Sequence, residues 1–171
     1  MGKQDQGVAQ SRGRYHVVPR TLCFITHGDD VLLLKGAPTK RIWPNRYNGV
    51  GGHIERDEDV LSAARREMKE ETGLDAADVR LRAVINIDAA DPQAGILLFV
   101  FTARAPTRVV KPSAEGTLEW VPLSKLGEYE LVEDLPELLP RVLGLAEDAP
   151  PLCGRYTYDD ADRLVITWAN P

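Results

Sequence analysis

Only two cysteines, Cys23 and Cys153, stand among the 171 residues. Two are too few for a disulfide framework or a zinc site. Cys23 lies in an apolar run and Cys153 follows Pro-Pro-Leu, so both read as small, mostly buried thiols of a reducing cytosol. No apolar run approaches the roughly 20 residues that span a bilayer. The opening residues, MGKQDQGVAQSRGRYHVV, hold no apolar stretch of the roughly 7–15 residues a secretory signal needs. Basic charge is not in excess either. The formal net charge is −5, which argues against a dedicated binder of duplex nucleic acid or of an anionic membrane. The chain shows no internal repeat and no low-complexity tract. A cytoplasmic protein with no membrane partner is expected.

What is present suits one compact domain with a sizeable core: 43% apolar and 27% charged residues, ordinary globular usage. Residues 1–14 read as a polar, Gly/Gln-rich disordered tail, residues 15–148 as the domain, and residues 149–171 as a C-terminal extension. Arg20–Ile25 and Asp30–Leu34 form a hairpin across a Gly-Asp turn. Lys35 to Asn48, broken by Gly36, Pro38 and Pro44, reads as a functional loop. Asp59–Thr72 is the clearest helix, with Asp57 as N-cap, Glu58 and Asp59 placing acid in the first turn, and Gly73-Leu74 as a Schellman-type end. Val79–Ala89, Ile96–Arg104 and Thr117–Val121 read as strands, and Ile96–Phe101 as buried on both faces. Pro122-Leu123-Ser124 opens a short helical turn. Asp134–Leu143 is a second helix, which Pro140 would kink or end early. Arg155–Tyr158 and Arg163–Trp168 flank an aspartate-rich turn and form a terminal hairpin.

The first helix carries charge on the wrong side. At about 100° per residue, with Leu61 at zero, Val60, Ala64 and Met68 fall between about 260° and 340°, the core-facing stripe. Glu71 falls at about 280°, inside that stripe, and Glu67 at about 240°, at its edge. Ser62, Arg65, Arg66 and Lys69 take the solvent face. Glu67, Glu70 and Glu71 thus form a clustered, half-buried set of like charges, costly unless compensated. Oxygen-only ligands without paired His or Cys suit Mg²⁺, with Mn²⁺ as the alternative. The bland reading is a solvated acidic helix paired with Arg65, Arg66 and Lys69. Gly49, Gly51 and Gly52 crowd the chain before the helix, where missing Cβ atoms let backbone approach a ligand; a tight turn is the plainer account.

Gly52, then Glu58, then Arg66-Glu67-Met68-Lys69-Glu70-Glu71-Thr72-Gly73-Leu74 resembles a complete Nudix box, every fixed position of the 23-residue signature being filled. The resemblance covers roughly Thr21 to Leu143. It implies an α/β/α sandwich with a mixed sheet, here extended by the C-terminal β-hairpin. It also implies hydrolysis of a nucleoside diphosphate linked to another group, by attack of water on phosphorus. Glu67, Glu70 and Glu71 would ligate metal, one of them acting on the water, with the Gly52 carbonyl as a further ligand. Arg66 would orient the box carboxylates and Glu58 would support the site.

Arg46-Tyr47-Asn48-Gly49-Val50-Gly51-Gly52-His53 is similar to the corresponding stretch of the MutT-like 8-oxo-dGTP diphosphatases. That likeness implies that Asn48 reads a purine edge with its amide, that Asp134 is the acidic base-reading position, and that Glu115 is a metal-site glutamate from beyond the box, with Glu119 competing. Trp43 either stacks on a base or is a half-buried loop aromatic. Lys35, Lys40, Arg41 and Arg46 either draw in a polyphosphate or form a solvated loop. Tyr47 and His53 depart from the Trp and Lys typical of that group, and His53 either contacts phosphate or is an exposed neutral histidine. Ala90 stands where ADP-ribose or dinucleoside polyphosphate hydrolases would show a marker Pro or Tyr.

The expected activity is Mg-dependent conversion of a purine nucleoside triphosphate, oxidised or not, to monophosphate and pyrophosphate. The alternatives are a Nudix hydrolase of a nucleotide sugar, dinucleoside polyphosphate or capped RNA, and a non-catalytic nucleotide-binding module. The terminal hairpin has one apolar face that must be covered. Ala149-Pro150-Pro151 reads as a stiff spacer holding it off the second helix, so a homodimer contact is expected there.

Overall fold

The computed structural model describes residues 13–169, so the tail expected over 1–14 lies almost wholly outside the described residues. β1 (His16–His27) and β2 (Asp30–Gly36) form the expected hairpin, pairing from Ile25↔Leu32 to His27↔Asp30. Gly28, at φ +61°, makes the turn possible. β3 is short (Tyr47–Asn48) and pairs with β2. After α1 (Val60–Thr72) come β4 (Ala77–Asp91), β5 (Ala94–Arg104) and β6 (Gly116–Pro122). A 3-10 turn over Leu123–Glu128 precedes α2 (Leu135–Leu143), and β7 (Leu152–Tyr158) with β8 (Leu164–Trp168) closes the chain.

All eight strands belong to one mixed sheet in the order β3-β2-β1-β5-β4-β7-β8, with β6 also on β2. β1 runs parallel to β5, and β7 parallel to β4. The period-two alternation of β1 sorts the core into two layers. Leu22 and Phe24 face α2, packing with Leu135, Leu138, Leu139 and Val142. Cys23 and Ile25 face α1, packing with Ala64 and Met68. Central β5 serves both layers, Leu98 and Val100 on one side and Phe101 and Ala103 on the other. This is the expected α/β/α sandwich, and each fully buried aliphatic side chain contributes about 1.5–3 kcal/mol to it.

Four local expectations are corrected. The N-cap of α1 is Asp59, not Asp57: its carboxylate accepts the Leu61 and Ser62 amides, both at 2.9 Å, which leaves no acidic residue in the first turn. Cys153 is exposed, because it sits on the outward face of β7. Pro140 does not end α2, which runs on to Leu143. At the helix end Gly73 adopts φ +78° as expected, but the next amide, Leu74, donates to the Thr72 hydroxyl at 3.1 Å rather than completing a Schellman pair.

The largest correction concerns the terminal hairpin. Its apolar face is covered by its own domain, since β7 extends the sheet through β4 and Tyr156, only 3% exposed, joins the α2-side core with Leu164, Ile166 and Trp168. Trp168 also donates its indole N–H to Glu137 of α2 at 2.8 Å and lies under Arg141 at 5.3 Å. The Ala149-Pro150-Pro151 segment therefore does not hold the hairpin off the second helix, and the reason for a homodimer contact at that face is gone.

Candidate active site

The acidic side of α1 faces a stretch of chain stripped of side chains. Gly49, Val50, Gly51 and Gly52 run antiparallel beside the middle of β1, with Cys23 N donating to Val50 O at 2.7 Å and Thr21 N to Gly52 O at 2.8 Å. Gly51 sits at φ +149°, and any Cβ there would run into the Thr21 carbonyl. A Cβ on Gly52 would instead come within 2.5 Å of Glu67 Oε1. The first glycine is required by the backbone and the second by the carboxylate above it.

Glu71 is only 9% exposed, as its wheel angle requires. The Gly51 amide donates to its Oε2 at 3.2 Å. Burial, with the charge of Glu115 second, pushes its carboxyl up to about 7. Glu67 is largely buried at 14% side-chain exposure, whereas Glu70 is open at 61%. Ala63 is fully buried too, so the buried arc of α1 is wider than the wheel stripe and encloses Glu67 as well as Glu71. Leu61, by contrast, is exposed.

Arg66 organises this cluster. Its Nε and one terminal nitrogen grip Glu58 at 3.0 and 2.6 Å, and the other terminal nitrogen reaches Glu67 at 2.8 Å and Glu70 at 3.3 Å. The guanidinium also donates to the His53 carbonyl at 3.1 Å, tying the loop before the helix to the helix itself. Hydrogen bonding to Arg66 holds Glu58 below the usual carboxylate range, and Glu58 and Glu67 in turn push Arg66 up, so it stays charged. His53 itself is exposed, and what it gives the cluster is its backbone.

Of the two glutamates near β6, Glu115 is the one whose charge acts on Glu71. Glu119 lies elsewhere, accepting the Tyr47 hydroxyl at 2.7 Å and the Tyr129 hydroxyl at 3.4 Å. Among the described residues no three His, Cys, Asp or Glu groups already close on a single ion. The donors nonetheless fit a hard divalent cation. All are oxygens, Glu71 is buried with no cationic hydrogen-bond partner among the described residues, and the missing Cβ of Gly52 leaves a cradle beside Glu67.

A second set of predicted residues lies along β3 and the segment leading into α2, Asn48 on the Leu34 face of the sheet and Asp134 on the α2 side. The Asn48 side-chain oxygen accepts the Gly49 amide at 2.8 Å, which fixes the side chain and leaves its NH₂ as the donor it can offer. Tyr47 N donates to Glu130 O at 2.9 Å and Val132 N to Tyr47 O at 3.0 Å, so β3 is stitched to the segment leading into α2 and Asn48 stands beside the entry to Asp134. Asp134 is 9% exposed, caps nothing with its side chain, and is pushed up to about 6 by burial. The Tyr156 hydroxyl is buried against it without a hydrogen bond of good geometry. Sequence reasoning missed Tyr156 because its alternation marked it only as apolar-facing; the polar tip of a tyrosine on a buried face was the available signal.

The loop between β2 and β3 holds the remaining candidates. Trp43 is 48% exposed, at φ +53°, half buried in the loop with the rest of its ring open to solvent. Arg46 is exposed and donates to Leu131 O at 3.1 Å. Lys35 lies over the Tyr47 ring at 5.4 Å, and Lys40 bonds Glu115 at 2.6 Å. Only Arg41 remains as a plain solvated charge.

Comparison with known proteins agrees with this geometry. The family model of the NUDIX domain matches residues 16–142. The oxidized purine nucleoside triphosphate hydrolase of Mus musculus is 23% identical over 145 residues, spanning 85% of this chain and 89% of that protein. The MutT protein of Bacillus halodurans superposes with a TM-score of 0.69 at 23% identity, covering 89% of this chain and 97% of that one. The NUDIX domain of Shewanella oneidensis NrtR, complexed with ADP ribose, superposes with a TM-score of 0.65 at 16% identity, covering 84% and 98%.

Proposed function

Because this chain belongs to the Nudix family and is a Nudix hydrolase of nucleotide substrates, we propose that it is a divalent-metal-dependent pyrophosphohydrolase of purine nucleoside triphosphates, oxidised or not. The observation that carries the metal half of this reading is the burial of Glu71 and Glu67 within the core-facing arc of α1, against glycines whose Cβ atoms would collide with Thr21 and Glu67. A buried carboxylate pair is costly without a cation. Glu67, Glu70 and Glu71, with Glu115 and the Gly52 carbonyl, would hold Mg²⁺ or Mn²⁺; that carbonyl has one lone pair beyond its bond to Thr21. The ion supplies neutralisation of the charge that develops on phosphate oxygens.

The chain's own residues supply the positioning. Arg66, charged and gripped by Glu58, fixes the orientation of the Glu67 and Glu70 carboxylates. The Gly51 amide fixes the Glu71 carboxylate. Water adds across one phosphoanhydride bond, giving nucleoside monophosphate and pyrophosphate. Asn48 offers a donor and Asp134 a carboxyl that both accepts and, protonated, donates, which suits the mixed edge of a purine. The mouse relative's activity on oxidized purine nucleoside triphosphates supports the same substrate class.

The test is a panel of purine and pyrimidine triphosphates, 8-oxo-dGTP and ADP-ribose, each with Mg²⁺, Mn²⁺ or EDTA, reading pyrophosphate against orthophosphate. Metal-dependent pyrophosphate release with purines ahead of pyrimidines supports the proposal. Preference for ADP-ribose, or orthophosphate as the first product, overturns it.

A further inference from the structure

Lys40 belongs to neither group of site residues, yet it is bonded to one of them. Its ammonium donates to Glu115 Oε2 at 2.6 Å across 75 residues of sequence. Lys40 is therefore a cation supplied by the protein to Glu115.

The loop that carries it is closed at its base and tied to Glu115 at its flank. Gly36 N donates to Arg46 O and Asn45 N to Gly36 O, both at 3.0 Å, which pinches the ends together. Ala37 N donates to Glu115 O at 3.1 Å, and Lys40 completes the attachment. Beyond that attachment stand exposed Ile42 and Trp43 and two left-handed residues, Trp43 and Asn45.

We propose that Lys40 is a positioning residue that competes with the divalent ion for Glu115, so that ion binding releases the outer part of the 37–46 loop. This rests on the reading of Glu115 as part of the metal site. The physical case is one of substitution. Glu115 is half exposed, at 52%, and Lys40 is 35% exposed, so the pair is weak and reversible. A doubly charged ion beside Glu71 attracts Glu115 more strongly than an ammonium does and repels that ammonium.

The experiment measures Mn²⁺ binding by calorimetry on the full-length chain without nucleotide. Lys40→Met keeps the aliphatic stem and removes the competitor, so affinity should rise about two- to fivefold. Lys40→Arg should restore the wild-type value. The gain should shrink at high salt, because the competing pair is solvent-exposed. Emission from Trp43, isolated in a Trp120→Phe/Trp168→Phe background, should change on Mn²⁺ addition and lose that change in Lys40→Met. Wild type that binds Mn²⁺ with an affinity unaltered or weakened in Lys40→Met overturns the competition and leaves the metal site standing. No saturable Mn²⁺ binding by wild type overturns both.

Discussion

The two faces of the sheet bury charge in opposite ways. On the α1 face, Glu67 and Glu71 enter the core layer beside Arg66, Gly51 and Gly52, and one oxygen of each carboxylate accepts a hydrogen bond. On the α2 face, Asp134 and Tyr156 enter an apolar layer with no strong partner, and their discomfort is relieved only by protonation or by a ligand. The first arrangement suits holding a cation. The second suits holding a neutral, hydrogen-bonding group such as a nucleobase.

Removing residues after Asp148 tests the α2 face most severely. It deletes Tyr156, Ile166 and Trp168 from the core and uncovers β4. A loss on the order of 5 kcal/mol or more is expected in denaturant titration, comparable to the whole stability of a small domain. Retention of full stability would show that the hairpin is not part of this core.

Adjacent glycines separate fold from site on the α1 face. Gly51→Ala meets backbone at a left-handed position and should cost about 2–4 kcal/mol of stability. Gly52→Ala meets the movable end of Glu67, so the melting temperature should stay nearly constant while kcat/KM falls by about 10- to 100-fold. Equal thermal losses for both would contradict the division of labour between them.

Much of the α1 face is legible in the sequence. A helical wheel places Glu71 in the buried arc because the 3.6-residue period is a local property, and the Gly-rich approach is likewise read in one dimension. The α2 face is not legible in that way. Tyr156 meets Asp134 only because β7 adds in parallel to β4, and nothing in the alternation of the hairpin distinguishes that edge from a second copy of the chain. The cap at Asp59 rather than Asp57 has no clear sequence signal for a smaller reason: the two aspartates stand two residues apart, and only the side-chain geometry chooses between them. Lys40 is on a loop, where sequence carries no register, so its pairing with Glu115 has no local signal.

The pH dependence of stability sharpens the same contrast. Both Glu71 and Asp134 have carboxyl pKa values raised on folding, from 4.5 to about 7 and from 3.8 to about 6. Each favours the folded state when protonated, so stability is lost as pH rises through those windows, by up to the order of 3 kcal/mol each. In chemical denaturation with EDTA, Glu71→Gln should remove the loss between about pH 4.5 and 7, and Asp134→Asn the loss between about pH 4 and 6. Adding Mg²⁺ should abolish the Glu71 component and leave that of Asp134. If Mg²⁺ changes neither, Glu71 does not face the ion.

The smallest expected effect is at Asn48. Asn48→Ala removes one donor fixed beside the α2 entry and should reduce kcat/KM for purine triphosphates by about 1–3 kcal/mol, and for pyrimidines by less. Equal losses for dGTP, dCTP and dTTP would reduce its role to shaping the loop.

The central claim, that buried glutamates of α1 form a metal-dependent catalytic site, is tested most directly by Glu71→Gln. Mg²⁺-dependent pyrophosphate release from a purine triphosphate should be compared with wild type, alongside thermal unfolding in EDTA. A fall in turnover of at least about 100-fold, with melting temperature unchanged or raised, is the predicted result. Near-normal Mg²⁺-dependent turnover in the variant would contradict it.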